Sequence, residues 1–244
     1  MLKIAVVVIF GTLGCTYLCA APEEFLINLP RPLEHTQQGT KVQAFFSDVY
    51  ANIGITPAFI FATVERGFQS LKVGSIQAEG YRAEEIGREL DEEFKVPVPL
   101  ATVKVAIFCI KKQHCKPNPE SHFAIQSGFG YGKLICENLG LTCQYAPNAL
   151  SIARMLDQGL IDAVISPYPA YKSYLCQANA NVFYVKPLPE FYFDIFHFTR
   201  ITDEDAKLKL KQALQRKLAE DKALFAEYYQ SPNLKVCKKR LQEI

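Results

Sequence analysis

The chain carries almost no net charge, few histidines and no long apolar run, and each shortage removes a class of function. Its 27 lysine and arginine residues face 25 aspartate and glutamate residues. A balance this even leaves no basic footprint for a nucleic acid. The four histidines, His35, His114, His122 and His197, stand in no familiar catalytic spacing, so no nucleophile or general base with an oriented partner can be picked out. The glycines of SGFGYG (127–132) lack the order of a dinucleotide fingerprint, and no phosphate-loop lysine–serine pair follows them. The apolar run from Ile4 to Leu13 is shorter than the ~20 residues a membrane span needs.

What is present first is a leader. Lys3 is its only charge, the apolar run follows, and the small residues Ala20 and Ala21 mark a cleavage point. This pattern reads as a secretory signal over 1–20, removed after Ala20, and places the mature protein in the periplasm. Six of the eight cysteines remain: Cys109, Cys115, Cys136, Cys143, Cys176 and Cys237. An even count in an exported chain favours disulfides. Cys109 with Cys115 and Cys136 with Cys143 are close enough to close local loops, which would leave Cys176 with Cys237. The competing reading, zinc held by Cys109, His114, Cys115 and His122, has an uncommon ligand spacing. No cofactor or metal is expected.

With 49% hydrophobic residues the chain has enough apolar material for one large or two small domains. Its organising stretch is ALSIARMLDQGLIDAVISP (149–167). Ile152, Met155 and Leu156 share a helical face, Asn148 caps the start, Gly159 ends the helix, and Ile161 to Ile165 form a buried strand. A weaker copy upstream sets Leu71, Gly74, Ile76 and Ala78 at the spacing of Leu156, Gly159, Ile161 and Ala163. Each copy follows a strand-like run, so the order strand, helix, strand recurs in both halves and predicts two parallel-sheet lobes. Two apolar stretches carrying prolines, 96–110 and 182–189, read as segments that pass between the lobes. Residues 83–95 read as a charged surface helix. In 191–200 the alternation points Asp194 and His197 away from the core.

This order of elements, together with FAIQSGFGYG and LDQGLIDAVIS, resembles the type II periplasmic solute-binding proteins, specifically the family 3 group. In lobe one, Gln77 stands where that family often has aspartate, the loop 30–39 is short, and the arginine segment of amino-acid-binding members is not found in full. The resemblance implies an α/β fold of two lobes, each a mainly parallel sheet flanked by helices, joined by two crossing strands. Lobe 1 is then 21–97 with 188–244, and lobe 2 is 98–187. It also implies a monomer that captures a small-molecule ligand between the lobes and presents it to a membrane permease or receptor. The alternatives are a periplasmic dehydratase-like enzyme on the same fold, with Glu65 as the acid or base, and a free-standing sensor subunit.

On such a fold, ligands sit beyond the carboxyl ends of the parallel strands. Those ends select Arg31, Thr63, Glu65, Arg66 and Arg82 in lobe 1, and Ser127, Gly128, Gly130, Tyr131 and Tyr168 in lobe 2. Arg66 and Arg82 are expected to face lobe 2. The N–H groups near Gly128 and Gly130 open a helix and favour an anionic group. The competing readings are arginines paired with Glu65 or Glu79, tyrosines that only pack, and glycines that only shape a turn.

Overall fold

The computed structural model describes residues 24–84, 92–118 and 120–244. The leader over 1–20 and residues 85–91 of the expected surface helix lie outside the described residues. Within that expected helix, Glu92–Phe94 is a single 3-10 turn.

The first sheet begins with β1 (Leu26–Pro30), α1 (Gln37–Ala51), β2 (Ala58–Ala62), α2 (Val64–Val73), β3 (Ala78–Ala83) and β4 (Lys95–Val103). The second contains β5 (Val105–Cys109), β6 (Phe123–Gln126), α3 (Gly130–Asn138), β7 (Cys143–Ala146) and α4 (Ala149–Asp157). It continues with β8 (Ala163–Pro167), α5 (Tyr171–Leu175) and β9 (Val182–Pro187). The chain then returns to the first sheet as β10 (Phe193–Thr199), packs α6 (Glu204–Glu220) against it, and ends in β11 (Arg240–Glu243). The sheet orders are β2-β1-β3-β10-β4 and β11-β9-β5-β8-β6-β7.

Local chemistry explains the elements. In α1 the stripe Val42, Phe45, Phe46, Val49 and Tyr50 is buried, as its spacing requires, and the Thr36 hydroxyl accepts from the Gly39 N–H at 2.9 Å. The two halves of the internal repeat coincide in structure. Gly74 and Gly159 take left-handed φ values of 83° and 67°, while Leu71, Leu156, Ile76 and Ile161 are all buried. Even the pairing repeats: Ala78 stands opposite Ile27 in β1, and Ala163 stands opposite Phe123 in β6. The orders β2-β1-β3 and β7-β6-β8 are therefore the same parallel unit used twice. The prolines Pro97 and Pro99 confine β4 to the edge of its sheet.

The expected lobe boundaries need correction. All of β4, to Val103, belongs to the first sheet, so the first crossing is at Lys104 rather than near residue 97. The C-terminal tail does not stay with lobe 1, because β11 adds to β9 at the edge of the second sheet. Six cysteines form three disulfides, Cys109–Cys115, Cys136–Cys143 and Cys176–Cys237. One apolar cluster runs through the junction by way of Val103, Val105, Leu188 and Phe193.

His197 departs from the expected outward orientation. Asp194 and His197 lie three residues apart, so the two-residue period of β10 puts them on opposite faces: Phe196 and Phe198 pack toward Leu71 and Phe68, while the His197 ring is fully buried against Phe46 and Tyr50 of α1. Its Nδ1 is 3.0 Å from the Gly80 carbonyl, which can only accept, so Nδ1 carries the proton. Nε2 then accepts from the Tyr50 hydroxyl at 2.7 Å. Asp194, by contrast, is half-exposed and accepts from the Thr102 hydroxyl at 2.6 Å.

Burial pushes the His197 pKa down to about 4 from the ordinary 6.5. Between these values the unfolded chain binds the proton and the folded chain does not, so the contribution is full above pH 6.5 and is lost as pH falls toward 4. The difference in unfolding free energy between wild type and His197→Gln should therefore shrink by about 3 kcal/mol from pH 7 to pH 4. Urea titrations at several pH values read this directly, and a pH-independent difference would refute the neutral buried imidazole.

Candidate functional site

The strand directions define where a ligand can sit. β10 runs antiparallel to β3 and β4, so β4 is parallel to β1, β2 and β3 and ends on the same edge. In the second sheet β5 runs antiparallel to β8 and β9, so β5 starts where β8 ends, with Val105 opposite Pro167. The step from Val103 to Val105 thus joins the carboxyl edge of one sheet to the carboxyl edge of the other. The return from β9 to β10 does the same, since Pro187 lies opposite Ala106 and Phe193 opposite Val103. Both carboxyl edges are directed at the junction between the lobes, the place where open parallel sheets hold ligands.

Along lobe 1 this edge brings Arg31 and Thr63 side by side, because Pro30 pairs with Ala62 one residue before each. Thr63 caps α2, its hydroxyl accepting from the Arg66 N–H at 3.4 Å, and Glu65 and Arg66 are exposed in the first turn. Along lobe 2, Ser127, Gly128 and Gly130 are exposed at the start of α3. Gly128 has a φ of 90°, a conformation that a side chain would strain. Among the described residues the N–H groups of Gly128 and Gly130 have no backbone acceptor, and α3 has neither a side-chain cap nor an acidic residue in its first turn. Tyr131 meets Phe193 of β10 edge to face at 4.9 Å, a contact that crosses from one lobe to the other.

Two expected site residues are buried, although Tyr168 also borders the smaller cavity at the junction. Arg82 is only 4% exposed and turns into lobe 1, where Nη2 lies 2.7 Å from the Glu79 carboxylate and Nη1 donates to the Tyr81 carbonyl. Every residue of β3 is buried, so this guanidinium is enclosed and its partner is Glu79. Tyr168 is also 4% exposed. Its ring packs beside Phe108 and Tyr171 in the lobe 2 core, and its hydroxyl bonds to Tyr192.

Sequence reasoning offered Glu79 as an alternative partner for the arginines, and the structure pairs it with Arg82, but it passed over Asn28, which completes a buried polar cluster. Asn28 and Glu79 are wholly buried on adjacent strands, and the Asn28 amide donates to Glu79 at 2.8 Å. Gly67 covers them, since a Cβ there would come within 1.8 Å of the Glu79 carboxylate. Burial pushes the Glu79 pKa up to about 7, against the lowering effect of Arg82 and Asn28. The pairing Asn28 opposite Glu79 follows from the register, which no single stretch of sequence reveals.

The larger of two described cavities, about 290 Å³, lies at the amino ends of β4 and α6 and contains Lys95, Lys207 and Lys211. It is on the side of lobe 1 away from the carboxyl edges. The smaller, about 100 Å³, lies at the junction beside Tyr171, Lys172 and Glu227. Among the described residues no cluster of histidine, cysteine, aspartate or glutamate is arranged to hold a metal ion.

Neither a family model nor a curated protein sequence matches the chain. Solved structures do share its fold. The GluR0 ligand-binding core in complex with L-glutamate aligns with a TM-score of 0.63 at 8% identity, covering 84% of this chain and 96% of that one. The amino acid ABC transporter substrate-binding protein AbpA from Streptococcus pneumoniae, bound to L-arginine, aligns at 0.59 and 12% identity over 85% and 97%. The ancestral amino acid-binding protein AncCDT-1, a precursor of cyclohexadienyl dehydratase, aligns at 0.59 and 12% identity over 85% and 95%. The two-lobed type II periplasmic-binding fold expected from the resemblance is the fold found.

The buried pair and the exposed arginines should separate in a stability measurement. Replacing Arg82 by alanine leaves the Glu79 carboxyl buried without its partner, a loss of about 3–5 kcal/mol. Replacing the exposed Arg66 by alanine should change stability by less than about 0.5 kcal/mol. Denaturant unfolding of both variants checks this, and equal stabilities would contradict the inward placement of Arg82.

Proposed function

Starting from the fold these structures share, we propose that the chain is an exported solute-binding protein that closes its lobes over a small polar molecule bearing a carboxylate. The observation that carries the reading is the opposition of the two carboxyl edges across the crossings. Lobe 1 offers positive charge there at Arg31 and Arg66, and lobe 2 offers the open N–H groups at the start of α3. Arginine's planar fork suits two-point binding of a carboxylate, and a helix start favours the same group. The L-arginine and L-glutamate bound by the structural neighbours each carry a carboxylate, so amino acids join organic acids as candidates. Three disulfides suit an oxidising compartment outside the inner membrane. In this reading the protein acts as a monomer without a cofactor, makes and breaks no covalent bond, and passes its cargo to a permease or receptor.

A thermal-shift screen of refolded, ligand-stripped protein against amino acids and organic acids tests the proposal. A ligand at ~100 times its dissociation constant adds about 2.7 kcal/mol of stability. With the ligand in hand, Arg66→Ala should weaken binding by about 1.5–3 kcal/mol in calorimetry, the range for a charge-assisted hydrogen bond. The ligand should be recovered chemically unchanged after prolonged incubation. Affinities equal to wild type in both Arg66→Ala and Arg31→Ala would remove lobe 1's arginines from the site, and product formation would replace the binder by an enzyme.

A further inference from the structure

The chain passes between the lobes a third time, after α6. On the lobe 1 side the last residue bonded to a strand of that lobe is Tyr228: its hydroxyl donates to that of Tyr81 at 3.0 Å, and its carbonyl accepts from the Lys104 N–H at 2.9 Å, while Tyr229 and Gln230 bond back to Lys222 and Ala226 of their own segment. On the lobe 2 side the first is Asn233. The Tyr171 hydroxyl donates to its carbonyl at 2.7 Å and accepts from its N–H at 2.6 Å. Beyond Asn233 the tail is fastened again by the Cys176–Cys237 disulfide, by the ladder of β11 on β9, and by Lys239, which donates to the carbonyls of Leu175 and Ala178.

We propose that this tail is a strap that limits how far the two lobes can separate. The proposal rests on the lobe rotation that the binding reading requires. Rotation can swing the lobes about the two crossings at Lys104 and 188–192, yet the third segment must still reach from Tyr228 to Asn233. Five extended steps of chain span at most about 17 Å. The disulfides differ in a way that fits this role. Cys109–Cys115 and Cys136–Cys143 have separations of 6 and 7 residues and stay within lobe 2, so they are indifferent to rotation. Cys176–Cys237 spans 61 residues, and the ring it closes leaves lobe 2 through β9, runs through β10 and α6 of lobe 1, and returns. Opening therefore acts on a closed covalent ring. The junction cavity of about 100 Å³ lies along this strap, bordered by Gln230, Ser231 and Asn233 on one side and Tyr168 and Lys172 on the other. The strap is thus not packed flat against lobe 2 and has room to shift as the lobes turn.

The measurement is the distance distribution between fluorophores placed on unnatural residues at Val73 and Leu160, which are 74% and 55% exposed in lobes 1 and 2. It is read by single-molecule energy transfer on ligand-free protein, so a failed ligand screen, which would count against the binding reading, leaves it intact. Releasing the tail with Cys176→Ser plus Cys237→Ser, and separately loosening it with Tyr171→Phe, should each extend the distribution to longer distances, the serine pair more. Circular dichroism should be unchanged in both. Tyr171→Phe keeps the disulfide and decides the matter if the serine pair does not fold. Distributions identical to wild type in the folded variants would overturn the strap.

Discussion

The structure depends on the direction of two strands. β5 and β10 are each inserted antiparallel into a sheet whose repeat unit is parallel, and each is reached from the end of a parallel strand in the other lobe. Had either entered parallel, the chain would have needed a long crossover to reach the far edge. Instead a single residue, Lys104, suffices between β4 and β5. The carboxyl edges then face one another without further contrivance. The loops of both repeat units gather at the junction for the same reason, although nothing in their own sequences directs them there.

That arrangement leaves most binding potential on exposed turns and most rigidity beneath them. The Asn28–Glu79–Arg82 cluster under α2 and the Tyr50–His197–Gly80 chain under α1 occupy opposite faces of the first sheet. Both are buried polar groups whose partners are fixed by strand register. An unpaired buried donor or acceptor costs about 1–3 kcal/mol, so each cluster penalises a slipped register on its own face. Their titrations oppose one another. Burial raises the Glu79 carboxyl to about 7, favouring the folded state more at low pH, and lowers His197 to about 4, favouring it more at high pH. Between the ordinary carboxylate and imidazole values the two slopes offset, which flattens the stability profile there.

What could be read from the sequence was whatever local chemistry decides. Gly74 and Gly159 end helices because a left-handed turn is needed at those points, and the buried residues at fixed offsets from them follow. The short-range cysteine pairs and the edge placement of the proline-bearing β4 are of the same kind. Arg82 and His197 were expected to face outward because a sequence does not show that helices cover both faces of the first sheet: Arg82 pairs with Glu79 three residues away beneath Gly67 of α2, and His197 meets Phe46 and Tyr50 of α1. Tyr168 is packed by Phe108 and Tyr192, which come from other segments. The tail's return to lobe 2 was hidden for a related reason: β11 is a four-residue strand, mostly exposed, with no apolar alternation to announce it. Only the pairing of Cys176 with Cys237 hinted that residues far apart in sequence share a lobe.

The two edges of the junction are unequal, and the inequality bears on how an anion would be taken up. The start of α2 is already satisfied in part, for Thr63 caps it and Glu65 stands in its first turn against the helix dipole. The start of α3 has neither, and its glycines at 128 and 130 are exposed. On the proposed function, a carboxylate at the start of α3 would gain about 0.3–1 kcal/mol from the helix dipole, and each charge-assisted hydrogen bond to it, whether from an N–H or from a guanidinium, would add about 1.5–3 kcal/mol. Lobe 2 would then set where the carboxylate rests before closure, and Arg31 or Arg66 would add its bonds only when the lobes come together. Closure would therefore raise an affinity that one lobe already provides in part.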